Sequence, residues 1–188
     1  MSMIKILGID PSLSNCGFAS GTLDLETLNF DVTHVNLVKT EPSKSKTTRK
    51  NSDDLERCRL LIEGLREAEK GAEIAFVEMP VGSQSARAMF SYGVCMAVVG
   101  MLTIPVIQVT PNEVKTAATG DKLATKREMI NWASWKFPGV NWIKKGGRLI
   151  DANEHLADAV GAINAGLHNS EFLALHAMLR SMSRKTAA

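Results

Sequence analysis

Cysteine is scarce: Cys16, Cys58 and Cys95 are odd in number and far apart. No two have the spacing of a metal-binding pair. That excludes a disulfide framework and predicts reduced thiols in a cytoplasmic compartment. A long apolar run is also missing. Val94 to Val109 is the longest, and Gly100, Thr103 and Pro105 interrupt it, so it is too short and too broken to span a bilayer. Met1-Ser2-Met3-Ile4-Lys5 runs straight into a strand, so no signal peptide is expected. There is no internal repeat and no Pro/Gly-rich linker. A chain of 188 residues, 45% hydrophobic and 22% charged, is therefore expected to form one domain, 1–188, around a single core.

Net charge is small as well, at +2, which by itself says nothing of nucleic acid. The distribution is uneven, however. Lys39, Lys44, Lys46, Arg49 and Lys50 fall in one Ser/Thr-rich stretch with only Glu41 against them. Lys144, Lys145 and Arg148 flank Gly146-Gly147, and Arg180, Arg184 and Lys185 lie near the C-terminus. A site built from carboxylates lowers the sum for a protein whose rim is basic.

Three strands are expected first, over Ile4–Asp10, Gly17–Thr22 and Leu28–Val38, with a turn at Pro11–Asn15. Residues 41–52 have no apolar anchor and read as a mobile loop. Asp53 and Asp54 suit a helix N-terminus. That helix is expected to bury a stripe of Leu55, Cys58, Leu61, Ile62 and Leu65. A fourth strand spans Ile74–Glu78 and a fifth Val106–Val109, with a helix over 85–102 between them. Pro111 opens a short helix to Ala117. Thr125 caps another, carrying Met129, Ile130, Ala133 and Trp135, in which Trp132 and Trp135 are expected in the core rather than stacked on bases. Phe137 to Ile150 reads as irregular, Trp142 included. Asp151-Ala-Asn-Glu154 is a candidate capping box for a helix to about Leu167. A last helix over 170–183, capped by Asn169 or Ser170, turns Phe172, Leu173, Leu175 and Met178 inward. Together these predict an α/β layer structure with a mixed sheet.

Two of the strand-like runs end on a carboxylate, Asp10 and Glu78. A carboxylate at the end of a buried strand is costly unless its desolvation is offset. Each has a bland explanation: Asp-Pro commonly opens a turn, and strands often end on a charge. Yet both sit at C-terminal strand ends, where open α/β sheets place their sites. His155 and Asp158, three apart, share one face of a helix whose other residues are small and apolar. A buried hydrogen bond would satisfy the pair; so would a metal. Two carboxylates with a His/Asp pair suit two divalent ions roughly 3.5–4 Å apart, one activating water and one stabilising the leaving oxygen of an in-line displacement. Mg²⁺ prefers oxygen donors, so His155 brings in Mn²⁺ as an alternative. Asp151 and Glu154 are second-choice ligands, since capping accounts for them.

These pieces resemble the RuvC family of Holliday junction resolvases, within the RNase H-like nuclease superfamily. The resemblance rests on Ile6-Leu7-Gly8-Ile9-Asp10-Pro11-Ser12, Val77-Glu78, Val109-Thr110-Pro111 with Val114-Lys115, and His155-Leu-Ala-Asp158-Ala, and it covers most of 4–168. It implies an RNase H-like five-stranded mixed sheet flanked by helices. It implies catalytic, metal-binding roles for Asp10, Glu78, His155 and Asp158, with His155 where many members have Asp and some have His. It also implies DNA contacts by Lys115 and Lys126, which match two lysines of the family. The family has an aromatic soon after the glutamate, where Met79-Pro80-Val81 stands here. The helix over 85–102 corresponds to the family's dimer helix, so a homodimer is implied, with paired nicks across a four-way junction. No helicase partner is specified.

Further DNA contacts are expected from Arg87 with Ser83, Gln84 and Ser85, and from Lys44, Lys46, Arg49 and Lys50, as phosphate contacts that carry no sequence information. Other readings are a flap or RNase H-type nuclease, or a catalytically dead DNA-binding module. Another is an actin-like or sugar-kinase phosphate site built on Gly8-Ile9-Asp10, which needs a longer, two-domain chain.

Overall fold

Five strands form one mixed sheet in the order β3-β2-β1-β4-β5 in a computed structural model that describes residues 3–79, 82 and 84–186, the last six as backbone alone. β1 is Met3–Asp10, β2 Asn15–Asp24 and β3 Phe30–Lys39, paired antiparallel as a meander. β4, Ile74–Glu78, then joins β1 in parallel, and β5, Val106–Val109, joins β4 in parallel. Ile6, Leu7 and Ile9 of β1 and Ala75, Phe76 and Val77 of β4 are all buried, as the continuous apolar runs require of strands covered on both faces.

Helices cover both faces. α1 is Lys50–Glu69, α2 Ala86–Val99, α3 Pro111–Thr119, α4 Lys126–Lys136, α5 Glu154–Gly166 and α6 Ser170–Thr186. α5 lies across β1, β2 and β4, with α3 and α4 packed against it. Thr110 and Thr125 close capping boxes with Glu113 and Glu128, which fixes where α3 and α4 begin. Among the described residues no helix is long and apolar enough to cross a membrane.

Several expectations are corrected. α1 begins at Lys50, within the segment expected as loop, and Asp53 Oδ1 accepts a hydrogen bond from the Ser43 amide at 2.8 Å. Its inner face is Asp54, Arg57, Leu61 and Leu65, while Leu55 is exposed. The Arg57 guanidinium has polar partners beneath α1 that a stripe of leucines would not supply. Trp135 is 84% exposed, because Met129, Ile130 and Ala133 already fill the face of α4 that meets the core. In α6 Phe172 and His176 turn inward and Leu173 and Met178 outward. His176 Nε2 lies 2.6 Å from the Leu25 carbonyl, which satisfies the buried imidazole.

Phe137 to Ile150 is more ordered than expected. It contains a hairpin of β6, Lys144–Lys145, and β7, Arg148–Leu149, turned by Gly146 and Gly147, both at positive φ. The capping box at 151–154 does not form. Asp151–Asn153 is a 3₁₀ turn and Asn153, fully buried, spends its side chain elsewhere. It accepts from the Ile143 amide and donates to the carbonyls of Ile143 and Ile150, at 2.8–2.9 Å. Because α5 starts at Glu154, after the 3₁₀ turn, Glu154 is not in the third position that a capping box requires.

Candidate active site

The parallel pairing of β1 with β4 matches Ile9 to Val77. Asp10 and Glu78, the next residues, therefore stand side by side on adjacent strands, whose backbones are about 4.8 Å apart. α5 supplies the third wall. Gly8 and Gly17 let it lie close: a Cβ on Gly8 would overlap the Ala159 carbonyl, and one on Gly17 the His155 carbonyl. Ala157, Ala159, Val160, Ala162 and Ile163 fill the contact, all fully buried. The first turn of α5 then delivers Glu154, His155 and Asp158 over the two strand ends.

His155 Nδ1 and Asp10 Oδ2 share a hydrogen bond of 2.6 Å, which fixes the imidazole. The other ring nitrogen, Nε2, lies 3.3 Å from Glu154 Oε1, and Glu154 Oε2 pairs with Lys126 Nζ at 2.5 Å. Side chains here are shielded but reachable: His155 is 19% exposed, Asp10 14% and Glu154 18%.

Charge is the dominant feature. Burial, then the negative charges of Asp10 and Asp158, push Glu78 up to about 9, with Lys115 pulling the other way. Burial and Asp10 push Asp158 up to about 7, against His155 and Lys115. Asp10 is raised too, since its contact with His155 only partly offsets burial. Burial pulls His155 down, but the bond to Asp10 and the charges of Asp10, Glu154 and Asp158 outweigh it and hold the imidazole above its ordinary value. Carboxylates crowded this way repel one another and attract cations.

The expected basic residues divide. Lys115, half-buried on α3, acts on Glu78 and Asp158, and Lys126 is bonded into the site through Glu154. Arg87 makes a two-pronged bond to Asp54, 2.7 Å on each side, and lies over the Phe90 ring at 4.8 Å. Ser85 caps α2 by accepting from the Ala88 amide, and Gln84 is exposed. Ser83, like Pro80 and Val81, lies outside the described residues. Lys44, Lys46, Arg49 and Lys50 are all exposed.

One feature was ranked low in the sequence and one escaped it. Glu154, a second-choice ligand because capping accounted for it, stands against the His155 ring. The second is a buried ionic network. Arg57 donates from Nε to Thr40 Oγ1 and from Nη2 to Ser14 Oγ, each at 3.0 Å, and from Nη2 to the Leu13 carbonyl at 3.4 Å. Its Nη1 lies 3.7 Å from Asp54, which also holds Arg87. Leu13-Ser14 closes the turn that follows Asp10, and Arg87 stands in the first turn of the helix that follows Glu78. The network thus ties together the segments leaving both strand-end carboxylates. Its signal was the spacing 54, 57, 61, 65, a helical stripe with two charges in it.

Among the described residues no three His, Cys, Asp or Glu side chains stand close enough to grip one ion as arranged. Their chemistry nonetheless suits a divalent cation, with four carboxylates, Asp10, Glu78, Glu154 and Asp158, and an imidazole gathered where a cation would relieve the carboxylates' mutual repulsion. A cavity of about 530 Å³ lies at the other pole, lined by Ile4, Ile74, Pro105, Phe172 and Leu175 among others. The carboxylates instead lie at the carboxyl-terminal ends of the two central strands, where they can meet a long polyanion without enclosing it.

No family model matches the sequence, and no curated protein matches it. Solved structures do. The chain is similar to Thermus thermophilus RuvC in complex with Holliday junction substrate, with TM-score 0.59, 21% identity, and 86% of this chain covered against 92% of that one. It is similar to a second Thermus thermophilus RuvC structure with TM-score 0.57, the same identity and the same coverage. The fold is RuvC-like, an RNase H-like α/β arrangement.

Proposed function

We propose that this chain is a metal-dependent, structure-selective endonuclease that resolves four-way DNA junctions by paired nicks. One observation carries the reading. Asp10, Glu78 and Asp158 converge with His155 at the C-terminal ends of two adjacent parallel strands, and they raise one another's affinity for protons. The RuvC-like fold supports it, and so does the junction substrate present in one of the similar structures.

Hydrolysis joins a water oxygen to the scissile phosphorus and breaks the bond to the departing sugar oxygen. Asp10, Glu78 and Asp158, with His155 as nitrogen donor, are the groups that would hold Mg²⁺ or Mn²⁺, two ions per site. Bound there, such ions supply an activated water and charge neutralisation for the leaving oxygen. The chain's own contribution is position and charge. The hydrogen bond to Asp10 orients the His155 ring. Lys115 offsets the negative field of Glu78 and Asp158 and faces an incoming phosphate. Lys126, anchored by Glu154, extends that cationic rim. Lys44, Lys46, Arg49 and Lys50 present exposed charge for the backbone of the DNA arms, and Arg87, Gln84 and Ser85 stand at the start of the helix that follows Glu78.

Cutting both strands of a junction symmetrically requires two sites. The outer side of α2 supports a homodimer: Met89, Phe90 and Met96 are 37–41% exposed, and Leu55 and Leu60 of α1 are exposed as well.

The experiment offers purified protein a four-way junction, a flap, linear duplex and an RNA–DNA hybrid, with Mg²⁺, Mn²⁺ or a chelator. Paired symmetric nicks on the junction alone are expected. Cleavage of flap or hybrid in preference would favour the flap or RNase H-type reading, and no cleavage with either metal would overturn the nuclease readings altogether. Asp10→Asn is expected to abolish cutting and keep junction binding; loss of both would make Asp10 structural.

A further inference from the structure

We infer that the β6–β7 hairpin, Lys144 to Leu149, is a second DNA-backbone contact, gripping the duplex arm beside the cut; the inference rests on the nuclease reading above. The hairpin is small and rigid. Gly146 and Gly147 both hold positive φ, at 57° and 77°, the geometry of the tightest two-residue turn, which only glycine adopts without strain. Its base is clamped by the three Asn153 hydrogen bonds, and Arg127 adds a bond of 3.4 Å from Nη1 to the Leu149 carbonyl. Everything at its tip is cationic or glycine. Lys144, Lys145 and Arg148 are exposed, and among the described residues no acidic side chain pairs with them. Three unpaired cations on a rigid projection bind a polyanion with little ordering cost.

Position decides which polyanion. Asn153, the clamp, is followed directly by Glu154 and His155, so the hairpin is braced against the start of α5. Arg127, which ties β7, adjoins Lys126, the partner of Glu154. His155 is seven positions after Arg148, a reach of at most about 25 Å. That is some seven steps of duplex at about 3.4 Å each. The tip therefore meets phosphates of the same DNA arm that enters the carboxylate cleft, within one helical turn of the scissile bond. It reads charge, since none of its side chains suits a base edge better than a phosphate.

The test compares wild type with K144Q/K145Q/R148Q. Binding to a labelled four-way junction is followed by fluorescence anisotropy in chelator, from 50 to 200 mM salt. Each phosphate contact contributes about 0.9 to the slope of log affinity against log salt. Losing three should flatten that slope by about 2.7, so wild-type affinity falls about 40-fold more than the variant's over the range. The melting temperature should stay the same. Amine acetylation should show Lys144 and Lys145 protected by junction DNA. An unchanged slope and affinity in the variant, or lysines equally reactive with and without DNA, would overturn the inference and leave the nuclease reading standing. If wild type itself binds no branched DNA, the nuclease reading fails and takes the hairpin's role with it.

Discussion

The carbonyl oxygen of His155 occupies the space where a Cβ on Gly17 would stand. β2 and the first turn of α5 touch backbone to backbone at that point, and the contact sets the height of His155 above Asp10. Gly17→Ala must push one of the two elements away. Overpacking of this kind costs about 1–3 kcal/mol. The expected outcome is a melting temperature lower by about 3–10 °C, with cleavage falling further than stability alone accounts for. A variant of wild-type stability and rate would show that α5 can shift without disturbing the site.

Asp54→Asn removes the anion shared by Arg57 and Arg87. Arg57 is 4% exposed, so its charge is left with neutral partners only. A cost of about 2 kcal/mol at pH 7 is expected. The two-pronged bond from Arg87 holds the Asp54 carboxyl below its ordinary value. The unfolded state therefore binds this proton more tightly, and the stability Asp54 contributes is present above pH 4 and lost as pH falls through its depressed value. Melting curves of the two proteins should converge in that acid range. A constant gap down to pH 2 would mean that the charge is not the source.

Glu78→Gln has the opposite sign. Burial and its neighbours raise Glu78 to about 9 from 4.5. Between those values the folded state holds a proton that the unfolded state has lost, so stability declines as pH rises. In chelator, the variant should therefore gain on wild type between pH 5 and pH 9, by about 2–4 °C or more in melting temperature. A gap independent of pH would indicate that Glu78 is already ionised at pH 5.

His155→Asp exchanges the single nitrogen donor for oxygen. Mg²⁺ accepts imidazole poorly, whereas Mn²⁺ tolerates it. The ratio of cleavage rates in Mn²⁺ and Mg²⁺ is expected to drop toward unity in the variant. An unaltered ratio would remove His155 from the ligand set and leave it as the partner that orients Asp10.

The local elements were open to reading from residue pattern alone. β4 and β5 span the residues expected of them and Thr125 caps α4 as expected, while the Thr110 cap of α3 was not anticipated although it has the same Thr-x-x-Glu spacing. The strand-end placement of Asp10 and Glu78 follows from the same patterns, because a run of buried apolar residues ends where a charge can reach solvent. The hydrogen bond between Asp10 and His155, 145 positions apart, was not legible in the sequence, where the near partner of His155 on its own helix was Asp158.

What tertiary structure alone decided were the choices between partners of equal local merit. Glu154 was free to cap a helix or to face the cleft. It faces the cleft because the 3₁₀ turn at Asp151–Asn153 makes it the first residue of α5 rather than the third, a shift no local pattern announces. Arg57 sits in a stripe meant for leucine because the turn at Leu13-Ser14 and Thr40 offer acceptors beneath it. Trp135 is outside because three smaller residues of α4 already fill the space against α5. Periodicity in sequence says which face of an element is buried. Only packing says which polar group finds a partner there, since that depends on atoms brought together from remote parts of the chain.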